Sequence, residues 1–139
     1  MKKKLSIQYI AGFFDGEGSV SIAANYYNRK APAGPLLSFS QRDYKILNQI
    51  QYSLGCGAIH TRTKVGSYHL RIMGKKKVIK VAKLLLPYAV VKKAHLSLIL
   101  EYCDWVRDTS RPCLTQQEIK NRFRLLAKLR KLNHKYSEK

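Results

Sequence analysis

Nine consecutive residues, Ile10-Ala11-Gly12-Phe13-Phe14-Asp15-Gly16-Glu17-Gly18, limit what this chain can fold into more than any other stretch. Ser6 is suited to cap a helix, and Ile7, Ile10, Ala11 and Phe14 follow at helical spacing. Gly16 and Gly18 are expected to break that helix, and from Ser19 onward the residues alternate as in a strand. A short apolar helix thus ends in two acids and turns straight into a sheet. Gly12 and Gly16 lie one turn apart with Ala11 beside them, so a second helix backbone can come very close. That spacing is best attested between membrane helices, but its steric basis is general. Asp15 and Glu17 fall at the helix C-terminal end, where the macrodipole disfavours negative charge. In a chain with only 8 acids against 27 Lys and Arg, acids placed there need a reason, and a bound cation would supply one. Hard divalent ions are held by one or two carboxylates together with substrate phosphates.

At 139 residues the chain is expected to form a single domain, 1–139, large enough to bury a proper core. A net charge of +19 points to a polyanion, with nucleic acid the leading case. A hydrophobic content of 45% with nine tyrosines excludes a disordered basic tail. Cys56, Cys103 and Cys113 show neither paired nor metal-type spacing and read as reduced thiols of an intracellular protein. Lys2-Lys3-Lys4 before an apolar run mimics a signal peptide, but Gln8 interrupts the run and acids follow it. No stretch approaches 18 apolar residues, so no membrane partner is expected.

Beyond the first helix, Ser19 to Tyr27 alternates, with Val20, Ile22, Ala24 and Tyr26 on one face and Ser21, Ala23, Asn25 and Tyr27 on the other. A loop from Asn28 to Pro35 leads to a return strand, Leu36 to Gln41, with Leu37 and Phe39 inward and Leu36, Ser38 and Ser40 outward. A helix from about Asp43 to Leu54 carries Ile46, Leu47, Ile50 and Leu54 on one face, and Gly55 or Gly57 stops it. In the second hairpin Ile59, Thr61 and Thr63 alternate with His60, Arg62 and Lys64. After the turn at Val65-Gly66-Ser67, Tyr68, Leu70 and Ile72 alternate with His69, Arg71 and Met73. A lysine-rich helix from Lys75 to Leu86 buries Val78, Ile79, Ala82, Leu85 and Leu86, and Pro87 ends it. Past the basic elbow Lys92-Lys93, a helix from Ala94 to Val106 uses Leu96, Ile99, Leu100 and Cys103. Thr115 with Glu118 forms a capping box for a last helix, Gln116 to Leu132, with Ile119, Phe123, Leu126, Ala127 and Arg130 near one face. Two hairpins separated by a helix give one antiparallel sheet backed by helices, an α+β architecture. The outward charges on the four strands carry one sign, with no Asp or Glu among them, which favours a face that meets phosphates and bases.

The stretch at 10–18 resembles the LAGLIDADG motif of homing endonucleases at all nine positions, with conservative changes and with Glu17 as the last acid in place of Asp. The resemblance implies a LAGLIDADG-type fold: α-β-β-α-β-β-α order, a curved four-stranded antiparallel sheet lying in the DNA major groove, and here extra C-terminal helices. It implies metal-dependent hydrolysis of phosphodiester bonds in both strands of a long, roughly palindromic site, with Mg2+ or Mn2+ as cofactor. Two strands need two active sites. A chain with one motif then acts as a homodimer on double-stranded DNA, meeting through Ala11, Gly12 and Gly16. Glu17 takes the place of the metal-binding acid, with the Gly16 carbonyl as a second ligand. Asp15, two residues away, faces a different direction and is read as structural or as a group that supports the ligands from behind, rather than as a first-choice ligand. Gln41 and Lys92 match, by order, a polar residue that orients water and a lysine that offsets transition-state charge, with Lys45 and Lys93 as near alternates. Residues expected to touch DNA are Asn25, Arg29, Ser38, Ser40, His60, Arg62, Lys64, His69 and Arg71. A strand of about eight residues spans ~26 Å at ~3.3 Å per residue, about eight base pairs at ~3.4 Å each. Competing expectations are a maturase or regulator of the same fold that binds RNA or DNA without cutting, and a ribosomal-type RNA binder. Retention of Glu17 weighs toward cutting.

Overall fold

In the computed structural model the described residues are 3–22, 34–62, 66–106 and 115–137. The elements run α1 (Ile7–Glu17), β1 (Gly18–Ile22), β2 (Pro35–Gln41), α2 (Tyr44–Leu54), β3 (Ala58–Arg62), β4 (Ser67–Met73), α3 (Lys75–Leu85), α4 (Lys93–Cys103) and α5 (Gln116–Ser137). The four strands form one antiparallel sheet in the order β1-β2-β4-β3, so the two hairpins join through β2 and β4 at the centre. This is the α+β architecture that two hairpins separated by a helix imply.

One face of the sheet makes the core. Val20, Leu37, Phe39, Leu70 and Ile72 are fully buried there, and helices α1 to α4 pack against β2 behind them. Phe14 of α1 meets Phe39 edge-on, with ring centroids 5.0 Å apart. Burying a side chain of this size contributes ~1.5–3 kcal/mol, so the α1–β2 contact is a principal anchor of the fold. At the free edge of the sheet, the Asn133 side-chain amide of α5 donates to the Val20 carbonyl at 3.2 Å. An otherwise unpaired strand edge is thereby partly covered.

Helix ends follow local chemistry. Ser6 caps α1 by accepting from the Tyr9 N–H, and Asp43 caps α2 by accepting from the Lys45 N–H. Gly55, at φ 72°, ends α2 in the left-handed region, so Gly55 rather than Gly57 is the stop. Lys80 of α3 also donates to the last-turn carbonyl of Leu54. The Thr115–Glu118 capping box is formed, with the Glu118 N–H donating to Thr115 Oγ1 at 3.2 Å.

Several boundaries and faces differ from expectation. Gly16 lies inside α1, and the helix gives way at Gly18. β2 begins at Pro35, whose ring is buried. In α3 Val81 is fully buried, while Ile79 and Leu86 are only partly so. In α5 the inward face is Arg122, Leu125 and Leu129, and Phe123 is 46% exposed. The helix is turned by about a residue from the reading that favoured Phe123, because Arg122 makes its own partners inside. Its Nε donates to the Trp105 carbonyl at 3.0 Å, and it hydrogen-bonds Tyr102.

Candidate functional site

The end of α1 presents Gly16 and Glu17 to solvent. The helical ladder closes with the Gly18 N–H donating to the Phe14 carbonyl, so the Gly16 carbonyl, in the last turn, falls after the last acceptor of that ladder. A carboxylate and a backbone carbonyl thus stand at the negative end of one helix. Both are hard oxygen donors, so this donor set fits a hard divalent cation whose remaining positions go to water and phosphate. Among the described residues no group of three or more His, Cys, Asp or Glu gathers as a metal cage.

Asp15 points elsewhere, as its place on the helix requires. Its Oδ2 accepts from the Val90 N–H at 2.8 Å and its Oδ1 from the Lys92 N–H at 3.0 Å. This clasp holds the elbow between α3 and α4 against the end of α1. Lys92 is the N-cap residue just before α4, and it is partly buried. Gln41 closes β2 opposite Tyr68 of β4. It shares the parity of Leu37 and Phe39, so it lies on the side of the sheet where α1 packs. Because Phe39 is opposite Gly18, Gln41 extends past the helix–strand junction at the end of the sheet that carries Glu17. Its Oε1 accepts from the Arg42 N–H at 2.8 Å. Glu17, Gln41 and the Lys92 backbone therefore stand at one end of the sheet. Among the described residues no hydrogen bond joins their three side chains.

The second face of the sheet turns away from the helices. Register sets Ser19, Ser38, Arg71 and Ala58 in one row, and Ser40, His69 and His60 in the next. His60 and Arg71 are exposed, whereas Ser38, Ser40 and His69 are half-buried. Ser19 and Ser38 share a hydrogen bond at 2.7 Å, and Ser40 Oγ lies 2.7 Å from His69 Nδ1. No Asp or Glu falls in any of the four strands among the described residues. Arg62 ends β3 opposite Ser67. Asn25, Arg29 and Lys64, expected to contact DNA, lie outside the described residues. Ser19, Ser21, Leu36 and Met73 share this face and are not among the expected DNA contacts, although the same alternation places them there.

On α1, Gly12 and Gly16 are exposed, and a Cβ added at either would meet nothing within 4 Å. Ala11 does not belong to that surface. It is fully buried in the core, one helical step round from Gly12, which corrects its place in the expected meeting face. Around the exposed face the chain shows Tyr9, 50% exposed, and on the clasped elbow Tyr88, Val91 and Val90, the last 81% exposed.

Behind the elbow lies a polar link that periodicity did not reveal. His95 of α4 is buried, and burial first, then the nearby Lys92 charge, push its pKa below the usual histidine value; a hydrogen bond to the Leu132 backbone partly opposes this. Tyr102 is pushed up to about 12 by burial, and Cys103 up to about 11 for the same reason, so both stay neutral.

Comparison with known proteins bears on what these features amount to. A family model described as LAGLIDADG endonuclease matches residues 10–106. Among solved structures, the homing endonuclease I-CvuI in complex with its target superposes with a TM-score of 0.77 at 24% identity, over 91% of this chain and 80% of that one. The homing endonuclease I-TnaI matches at a TM-score of 0.74 and 20% identity, over 98% of this chain and 99% of that one. The meganuclease I-AabMI bound to uncleaved DNA matches at a TM-score of 0.75 and 22% identity, over 90% of this chain and only 45% of that one. No curated protein is a significant sequence match to this chain.

Proposed function

Because the chain belongs to the LAGLIDADG endonuclease family, we propose that it is a site-specific homing endonuclease. In this reading two copies bind one long, partly palindromic duplex and hydrolyse one phosphodiester bond in each strand. The observation that carries the reading is the exposed end of α1. There Glu17 and the Gly16 carbonyl stand at one end of a sheet whose outward face holds His60 and Arg71 and, among the described residues, no acid.

The glycine face of α1 lets two such helices pack closely and brings both copies of Glu17 to the centre of the site. That this chain spans nearly all of I-TnaI but less than half of I-AabMI supports a paired unit. Glu17 and the Gly16 carbonyl would hold a divalent cation, magnesium or manganese. Structures of I-CvuI with DNA in the presence of calcium and of magnesium support that class of ion. Such an ion supplies Lewis-acid stabilisation of the attacking and leaving oxygens. Gln41, at the same end of the sheet, orients the water that attacks phosphorus. The Lys92 ammonium offsets charge that develops on the phosphoryl oxygens. The outward strand residues read base edges in the major groove, while lysines of the helices contact phosphates.

A cleavage selection on a randomised duplex library with magnesium, beside an EDTA control and Glu17→Gln, tests this. Wild type should enrich a long site cut on both strands. Glu17→Gln should lose ~10²-fold or more in rate, the scale of losing one electrostatic group at a reacting centre. Its affinity for the site should hold or rise, since an anion near phosphate is removed. Tight binding without cutting by the wild-type protein would refute the nuclease reading in favour of a binder with this fold.

A further inference from the structure

Asp15 is an acid in the last turn of α1, where the helix dipole works against it. Two features offset that cost. Each carboxylate oxygen takes one backbone N–H, from Val90 and from Lys92, across 75 and 77 residues of chain. The carboxylate also lies at the first turn of α4, where the dipole of that helix favours negative charge, and α4 has no side-chain cap of its own. The elbow's neighbouring N–H groups at Tyr88 and Ala89 both donate back to the Leu85 carbonyl. From Val90 to Lys92 the elbow is tied to α1 through Asp15.

We propose that Asp15 is a positioning residue for cleavage, fixing where Lys92 stands relative to Glu17; this rests on the roles given above to Glu17 and Lys92. The motif helix would then supply two parts of the reaction centre with its two acids. Glu17 provides a ligand from its own side chain. Asp15 provides none, and instead holds the backbone from which the lysine projects. The short spacing matters, because Asp15 and Glu17 sit two residues apart on one rigid helix while the lysine comes from a distant elbow. A carboxylate suits this place because each N–H meets its own oxygen, whereas the amide of Asn would set its NH2 group, a donor, against one of the two N–H groups.

Single-turnover cleavage of the selected site by wild type, Asp15→Asn, Lys92→Met and the double variant tests the coupling, with target affinity and melting temperature measured alongside. Asp15→Asn should cut about tenfold or more slowly at saturating protein, with target affinity within about twofold and reduced amide-exchange protection at Val90 and Lys92. The double variant should cut no more slowly than Lys92→Met alone. If the two losses multiply instead, Asp15 acts as general support and the proposal is overturned, with the nuclease reading intact. A Lys92→Met variant that cuts at the wild-type rate overturns both the coupling and the role given to Lys92. Wild-type protein that binds but never cuts overturns the parent reading and this one together. Should Asp15→Asn fail to fold, Asp15→Glu keeps the charge, lengthens the reach by one methylene, and is read by the same non-additivity.

Discussion

Gly18 is the residue at which α1 becomes β1, and its small size permits the change of direction. Its φ of −93° is open to any residue, so conformational freedom is not the reason for glycine. Space is the reason: a Cβ added there would fall against the Phe14 ring and 2.5 Å from the Phe14 carbonyl oxygen. Phe14 in turn is fixed by Phe39, so it has little room to give way. Gly18→Ala should therefore destabilise the fold by ~1–3 kcal/mol, the usual cost of overpacking. Denaturant melts measure this, and wild-type stability would mean that the Phe14–Phe39 pair relaxes freely. Gly16 is the contrast. No described residue crowds a Cβ there, and alanine inside a helix is favoured over glycine by ~1 kcal/mol. One glycine is explained by packing inside the subunit, and the other is left for contacts outside it.

At the scale of elements, that difference belongs to α1 as a whole. Its inner face, Ile10, Ala11 and Phe14, is spent on the core, and its outer face, with Gly12 and Gly16, faces no part of the described chain. Gly12→Leu should leave the stability of the isolated subunit unchanged or higher, since the added side chain meets no described residue within 4 Å, while the melting temperature loses the part that dimerisation contributes. The same variant should sediment as a monomer where wild type sediments as a dimer. A dimer of unchanged stability would place the meeting surface elsewhere, for instance on the elbow bearing Val90. What was legible in the sequence follows the strength of the periodic signal. The described strands of the two hairpins and the inner face of α1 are legible because alternation and helical spacing recur there; Ala23 to Tyr27, expected to continue the first strand, and Thr63 to Val65 lie outside the described residues. The face of α5 was misread because its core position is an arginine, buried through hydrogen bonds to Trp105 and Tyr102, beside an exposed phenylalanine. Hydropathy patterning ranks those two residues the wrong way round. Likewise the motif acids were visible, but the partners of Asp15 are not local, and no spacing rule links residue 15 to residues 90 and 92.

For the whole molecule, net charge and sheet geometry have separate consequences. The +19 charge draws the chain to any polyanion and makes binding salt-dependent, without choosing a sequence. Choice must come from side chains that stand outward in register. Arg71 is the exposed cation at the centre of the row that joins Ser19, Ser38 and Ala58. Arginine reads guanine through two parallel hydrogen bonds, and one such pair discriminates against a wrong base by ~1–3 kcal/mol. Arg71→Gln should therefore relax preference at one position per half-site. In a two-fold symmetric pair, a single substitution then changes two positions, placed symmetrically about the centre. Affinity for unrelated duplex should change little. Binding to a randomised library, read at several salt concentrations, separates the alternatives. An unchanged base preference with a shallower salt dependence would make Arg71 a phosphate contact. Relaxation at one position only would argue against two equivalent subunits on the site. Symmetric relaxation would link the acid-free face of one subunit, the glycine face of α1 and the paired assembly in one observation.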